Sequence, residues 1–175
     1  LLYALPILKD SIHLSGTTLV TLKLASSKAA ANLSVYLVTL PFEPANIGSA
    51  GQVGVVTRGW ADPQNYKALK GAADFTSKKP GEPLVPGKFV TVTFPLQPDD
   101  QIIKPGQQLG LMIFSSDLGF TIHPAPGTEL TIDLDGTSVT LLQAMACGVP
   151  VIASATAGNR GWVTNEESGL TFPVG

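Results

Sequence analysis

Serine chemistry needs a hydroxyl nucleophile, an imidazole to take its proton and an acid to orient that imidazole. The chain has two histidines, His13 and His123. Ser115, Ser116 and Asp117 lie close to His123 in sequence, but no Gly-x-Ser-x-Gly elbow exists to expose a serine. Residues 115–117 therefore read as a polar turn between strands, and no catalytic residue is assigned. Hard cations want clustered oxygen ligands, which Asp99, Asp100, Asp133 and Asp135 could supply. Their spacing matches no cation-binding loop, and Asp99-Asp100 reads first as a turn, so no metal is assigned. The single Cys147 excludes an internal disulfide framework and a cysteine-rich zinc site. Trp60, Tyr66 and Trp162 could form an aromatic platform for sugars. The alternative for Trp60, which precedes the Asp62-Pro63 turn, is that it covers a core edge or meets a partner domain. The Gly158-Asn159-Arg160-Gly161 run could approach a phosphate, but one glycine pair is a weak signal, and no cofactor is expected.

The elements that would position these groups are strands. From residue 10 to residue 142 apolar residues alternate in short runs bounded by Gly, Pro, Asn or Asp. Six runs are clear: 18–24, 33–38, 53–57, 89–94, 109–114 and 130–134. Residues 10–14 and 120–122 are expected to add two shorter strands, and 138–142 a ninth. One brief helix is expected at 66–73. Residues 61–86 hold proline turns that break regular structure. Strands following one another without helices predict a mainly β fold, an antiparallel jelly-roll β-sandwich of about eight or nine strands spanning residues 1–142. After residue 142 the pattern changes. Residues 142–147 are helix-prone, Gly148 suits a helix C-cap, and 149–153 read as a short buried strand. Residues 143–175 thus form a short α/β-like tail, too small to fold alone and so either docked or mobile.

At 175 residues, with 44% hydrophobic and 14% charged residues, the chain is globular and apolar enough to suggest an interface normally covered by a neighbour. A net charge of −2 with 11 scattered Lys and Arg gives no basic field, so no nucleic-acid partner is expected. No apolar run approaches the 18 or so residues that a membrane-spanning helix needs, so no membrane partner is expected. The opening Leu1-Leu2-Tyr3 shows neither an initiator Met nor a basic signal-peptide region, which reads as a fragment or an excised domain, its compartment left open. Asn32-Leu33-Ser34 matches a glycosylation sequon, a triplet common by chance.

Several sequence blocks occur in an order that resembles one family. These are Thr57-Arg58-Gly59-Trp60-Ala61-Asp62, Pro83-Leu84-Val85-Pro86-Gly87, Leu96-Gln97-Pro98-Asp99-Asp100, Ile103-Lys104-Pro105-Gly106, residues 109–117 and residues 124–130. Residues 2–141 thereby resemble the C-terminal domain of Xaa-Pro dipeptidyl-peptidases and cocaine-esterase-like hydrolases of the peptidase S15 type. The resemblance implies a jelly-roll sandwich packed on an α/β-hydrolase domain that carries the catalytic Ser, Asp and His. The implied role is a non-catalytic accessory domain that shapes access to that site and could mediate homo-oligomer contacts.

The tail is similar to something else. Residues 136–154 and 169–175 resemble the donor-binding end of GT4-type retaining glycosyltransferases. That family's pattern has one Glu beside the donor sugar and a second on the nucleotide ribose. Here those places hold Asp135 and Gln143, the weak candidates for a nucleotide-sugar site, so the tail is expected to be non-functional. The two resemblances overlap at residues 135–141, where a chimeric junction is expected. Two other function classes compete with the accessory domain: a carbohydrate-binding module acting through Trp60, and a fragment of a nucleotide-sugar-dependent glycosyltransferase.

Overall fold

The computed structural model of the chain describes residues 1–42, 54–69 and 81–133, with two further strands at 152–154 and 170–172. Nine antiparallel strands form the described body: β1 (Leu2–Ile7), β2 (Ile12–Gly16), β3 (Leu19–Ser26), β4 (Leu33–Leu40), β5 (Val55–Ala61), β6 (Val90–Pro95), β7 (Asp99–Ile103), β8 (Gln108–Phe114) and β9 (Leu130–Asp133). One sheet has the order β1-β8-β4-β5, a second β6-β3-β9, and β2 pairs with β7 alone. The first strand thus pairs with the eighth, the second with the seventh, the third with the sixth and the fourth with the fifth. This nesting is that of a long double ribbon rolled on itself, the jelly-roll arrangement expected from the sequence.

Alternation explains why the layers face each other. In β4, Leu33, Val35 and Leu37 point inward, and in β8 Leu109, Leu111 and Ile113 do so. From the opposite layer Val20, Leu22 and Leu24 of β3 meet Val90, Val92 and Phe94 of β6 across strand pairs in one core. The far face of that second layer is polar, with a Thr21–Thr93 hydroxyl contact at 3.0 Å and a Lys23–Asp133 ion pair at 2.7 Å. The two layers are tied where residues 95–97 cross β5. The Gln97 N–H donates to the Arg58 carbonyl at 2.7 Å, and the Thr57 hydroxyl donates to the Gln97 carbonyl at 2.6 Å. Gly59 permits this crossing, because a Cβ there would stand 2.6 Å from the Pro95 carbonyl oxygen.

Three sequence expectations are corrected, and one strand that the sequence pattern did not mark is found. Residues 2–7 form strand β1, although Pro6 and broken alternation hid it. The strand lies at a sheet edge, and its register shifts between Ala4 and Ile7, where a residue without an N–H is tolerated. Asp99 and Asp100 begin β7 rather than a turn, since their backbones pair with Gly16 and Ser15. Residues 120–122 form no strand, because the Phe120 and Thr121 N–H groups donate back to the Asp117 carbonyl and close a turn. In place of the start of a helix at 66, the chain makes a 3-10 turn at Pro63–Asn65, capped by the Asp62 carboxylate on the Gln64 N–H at 2.9 Å, and residues 66–68 continue as turns. The 53–57 strand is found at Val55–Ala61 and so reaches through Trp60. The strand at 138–142 and the helix at 142–147 lie outside the described residues. Of the strand expected at 149–153, residues 152 and 153 fall in β10 (Ile152–Ser154), which pairs in parallel with β11 (Leu170–Phe172), and residues 149–151 lie outside the described residues.

Candidate interaction site

The outer face of the β1-β8-β4-β5 sheet carries the most distinctive side chains of the described body. Register places Leu2, Met112, Tyr36 and Arg58 in one row across the sheet, with Phe114, Ser34 and Trp60 in the next. Period-two alternation puts them all opposite the core, where a sheet with one wet face would show polar residues. Instead, Tyr36 meets Phe114 edge-on at 5.0 Å between ring centroids and Trp60 edge-on at 6.5 Å. The loop after β8 folds back over this end of the sheet, and Phe120 lies 5.3 Å from the Trp60 ring. The Arg58 guanidinium sits among three rings, 4.1 Å from the Phe120 centroid, 5.5 Å from Trp60 and 5.7 Å from Tyr36. Contacts of this kind between a cation and ring faces are attractive and strengthen as water is excluded.

Asp117 holds the loop in place. It is 5% exposed, and its Oδ2 accepts from the Tyr36 hydroxyl at 2.6 Å and from the Trp60 indole N–H at 2.7 Å. Its backbone carbonyl also accepts the N–H groups of Phe120 and Thr121. Residues 115–117 are thus no plain polar turn, because Asp117 is a buried anchor rather than a solvated loop residue. Burial raises the Tyr36 phenol pKa well above its ordinary value. The hydrogen bond to Asp117 and repulsion from its charge add to the rise, and Arg58 opposes it. On its far side the loop is tied by the Asn32 side-chain amide, which donates to the Ile122 carbonyl. The loop therefore presents three apolar side chains from a fixed frame, with Leu118 77%, Phe120 49% and Ile122 87% exposed.

Beneath the cluster lies one unexpected atom. The Ser34 hydroxyl, in the row between Phe114 and Trp60, is fully buried and has no hydrogen-bond partner among the described residues.

The residues singled out by sequence fare differently. Trp60 is in the cluster, with its N–H engaged by Asp117 and its ring covered by Phe120 and Arg58, so it offers no open platform on which a sugar could stack. Ser116 and His123 do meet, Oγ to Nδ1 at 2.7 Å, but the adjacent acid faces Tyr36 and Trp60 instead of the imidazole. His13 pairs with Asp100 at 2.6 Å on the exposed β2-β7 ribbon. Asp133 pairs with Lys23, and among the described residues no group of three or more His, Cys, Asp or Glu side chains gathers. Asp135, Gln143, Trp162 and residues 158–161 lie outside the described residues. No helix among the described residues is long and apolar enough to cross a membrane. Tyr36, Arg58, Phe114, Asp117 and Phe120 were not expected at a site. The usable signal was the period-two row Ser34, Tyr36 against Arg58, Trp60, which places aromatic and charged groups on one outward face.

The fold defines a two-layer antiparallel sandwich whose outer sheet face carries an aromatic cluster under an anchored apolar loop. The chain belongs to the family described as the X-Pro dipeptidyl-peptidase C-terminal non-catalytic domain, whose model matches residues 1–157. A putative Xaa-Pro dipeptidyl-peptidase of Rhodopirellula baltica is 49% identical over 141 residues, covering 81% of this chain and 21% of the relative. A second, from Bacillus cereus, is 32% identical over 143 residues, covering 82% and 22%. The chain thus spans about a fifth of the length of these curated relatives, full-length peptidases in which the domain accompanies a catalytic domain. Two solved structures share the fold. An aminopeptidase from a marine sediment Thaumarchaeota archaeon has TM-score 0.51 and 22% identity, covering 67% of this chain and 18% of that one. A CocE/NonD family hydrolase from Staphylococcus aureus has TM-score 0.51 and 18% identity, covering 73% and 24%. The family match runs through residues 136–157, part of the segment that resembles a glycosyltransferase, and the comparisons supply no support for that second resemblance or for a chimera.

Proposed function

We propose that this chain is the accessory domain of a serine-type Xaa-Pro dipeptidyl-peptidase or related esterase, packing on an α/β-hydrolase domain and framing access to its active site. One observation carries the reading: the outer face of the β1-β8-β4-β5 sheet is apolar where a free two-layer sandwich would be polar. Leu2 is 53% exposed at the start of the Met112–Tyr36–Arg58 row and Phe120 is 49% exposed over its far end, with the buried Tyr36 and the half-buried Phe114 and Trp60 rings between them. Large apolar side chains left exposed on a sheet face and its covering loop mark an interface. The engaged Trp60 ring speaks against the carbohydrate-binding alternative, and a nucleotide-sugar role for Asp135 and Gln143 has no support beyond resemblance. A division near residue 142, with 143–175 as a docked tail, fits the placement of β11 alongside β1.

The test is a fusion in which this chain replaces the matching segment of the Rhodopirellula baltica relative. We expect one cooperative thermal transition and hydrolysis of an Xaa-Pro anilide, with no turnover by the chain alone. Two independent transitions, or turnover by the chain alone, would overturn the accessory-domain reading.

A further inference from the structure

The geometry points to the loop at residues 117–122 as the anchor of that contact, with Leu118, Phe120 and Ile122 inserting into an uncharged apolar recess on the catalytic domain of the same polypeptide. The inference rests on the accessory-domain reading and assigns it a surface. An unsupported loop with three large apolar side chains in water would turn them inward or fray. This one is prevented from doing so. Asp117 is locked below by Tyr36 and Trp60, the Phe120 and Thr121 N–H groups close on the Asp117 carbonyl, and Asn32 holds the Ile122 carbonyl. The frame is ordered in advance, so little conformational entropy remains to be lost when the loop docks.

Phe120 has the character of a binding hot spot. It is a half-exposed aromatic backed by Arg58 and Trp60, with the more exposed apolar side chains of Leu118 and Ile122 two residues to either side. The loop's one acid, Asp117, is turned inward, and Arg58, the cation beside Phe120, is engaged by three rings, so the three side chains that the loop presents outward are apolar and fit an apolar recess. The occupant follows from length. The chain matches only 21% and 22% of its curated relatives, so in them most of the polypeptide stands outside this domain and joined to it.

The experiment places the photo-cross-linker p-benzoylphenylalanine at position 120 in the same fusion and maps the products by mass spectrometry. The expected result is an intramolecular cross-link from position 120 to catalytic-domain peptides. Leu118→Asp with Ile122→Asp should leave the melting temperature of the isolated chain unchanged, because both side chains point to solvent, yet split the single transition of the fusion in two. Cross-links confined to residues 1–133 or joining two copies would overturn the assignment, as would a doubly substituted fusion that melts like its parent. If the parent fusion melts in one transition while position 120 fails to cross-link, the surface is wrong and the accessory reading stands. If the parent fusion melts as two independent units, both fall.

Discussion

Replacing Asp117 by Ala tests whether one carboxylate organises the outer-face cluster. The substitution removes the acceptor of the Tyr36 hydroxyl and of the Trp60 indole N–H while leaving the backbone turn at 117–121 in place. Tyr36 is 3% exposed, so its orphaned hydroxyl has little water to turn to, at a cost of about 1–3 kcal/mol. The Trp60 N–H is only partly buried and recovers some hydration, adding about 1 kcal/mol. The total of about 3 kcal/mol corresponds to a fall in Tm of roughly 6–12 °C for a domain of this size. Urea unfolding followed by far-ultraviolet circular dichroism would read the change as a shifted midpoint at constant slope. Asp117→Asn keeps one acceptor oxygen in nearly the same place, and its cost should be about 1 kcal/mol. An Ala variant within about 0.5 kcal/mol of the parent would refute the anchoring role, since that is the scatter of ordinary surface substitutions. So would an Asn variant as damaged as the Ala variant, because the loss would then not follow the hydrogen-bond acceptor.

Gly59→Ala should destabilise the fold by about 2 kcal/mol, because its Cβ would meet the Pro95 carbonyl at 2.6 Å, whereas Gly119→Ala, with nothing within 4 Å, should be nearly neutral; equal midpoints in urea would refute the packing assigned to β5. Stability should fall as pH rises above about 10: the folded state holds the Tyr36 proton more tightly than the unfolded state, so ionisation of the unfolded phenol favours unfolding. Tyr36→Phe should flatten that alkaline decline, and an unchanged slope between pH 9 and pH 11 would count against it. Amide hydrogen exchange should be slowest in β4, which is paired on both sides and buried along most of its length, and faster at residues 118–122; fast exchange in β4 would contradict the topology.

The strand framework was legible because alternation survives wherever one face is buried, as in Val20-Thr21-Leu22-Lys23-Leu24. It failed where another constraint governs the residue type. Pro6 sits in an edge strand at a register shift, and Asp99 and Asp100 begin a two-stranded ribbon whose buried residues, Leu14 and Ile103, lie away from them, so an acidic pair next to Pro98 looked like a turn. The site was harder to read. Trp60 stood out by type alone, but its partners come from β4, β8 and the loop beyond, and only strand register brings Tyr36 and Phe114 beside it. Asp117 looked like a turn residue because an acid next to two serines usually is one. Its burial depends on two donors far away in sequence, which no local pattern encodes.

The nested pairing of strands has a consequence for how the domain is made. Among the nine strands of the described body only β4 with β5 joins neighbours in the chain, whereas β1 waits for β8, and the Leu1 nitrogen donates to the Ile113 carbonyl across most of that body. A polypeptide emerging from a ribosome at some 5–20 residues per second leaves β1 unpaired for on the order of ten seconds. During that interval Leu2, Leu5 and Ile7 lie on an open strand edge, the kind of segment that pairs with the wrong chain. Pro6 then acquires a second role. By interrupting the hydrogen-bonding edge of β1, it makes the waiting strand a poor template for a neighbouring chain, a protection that begins during synthesis and continues at the edge of the finished sheet.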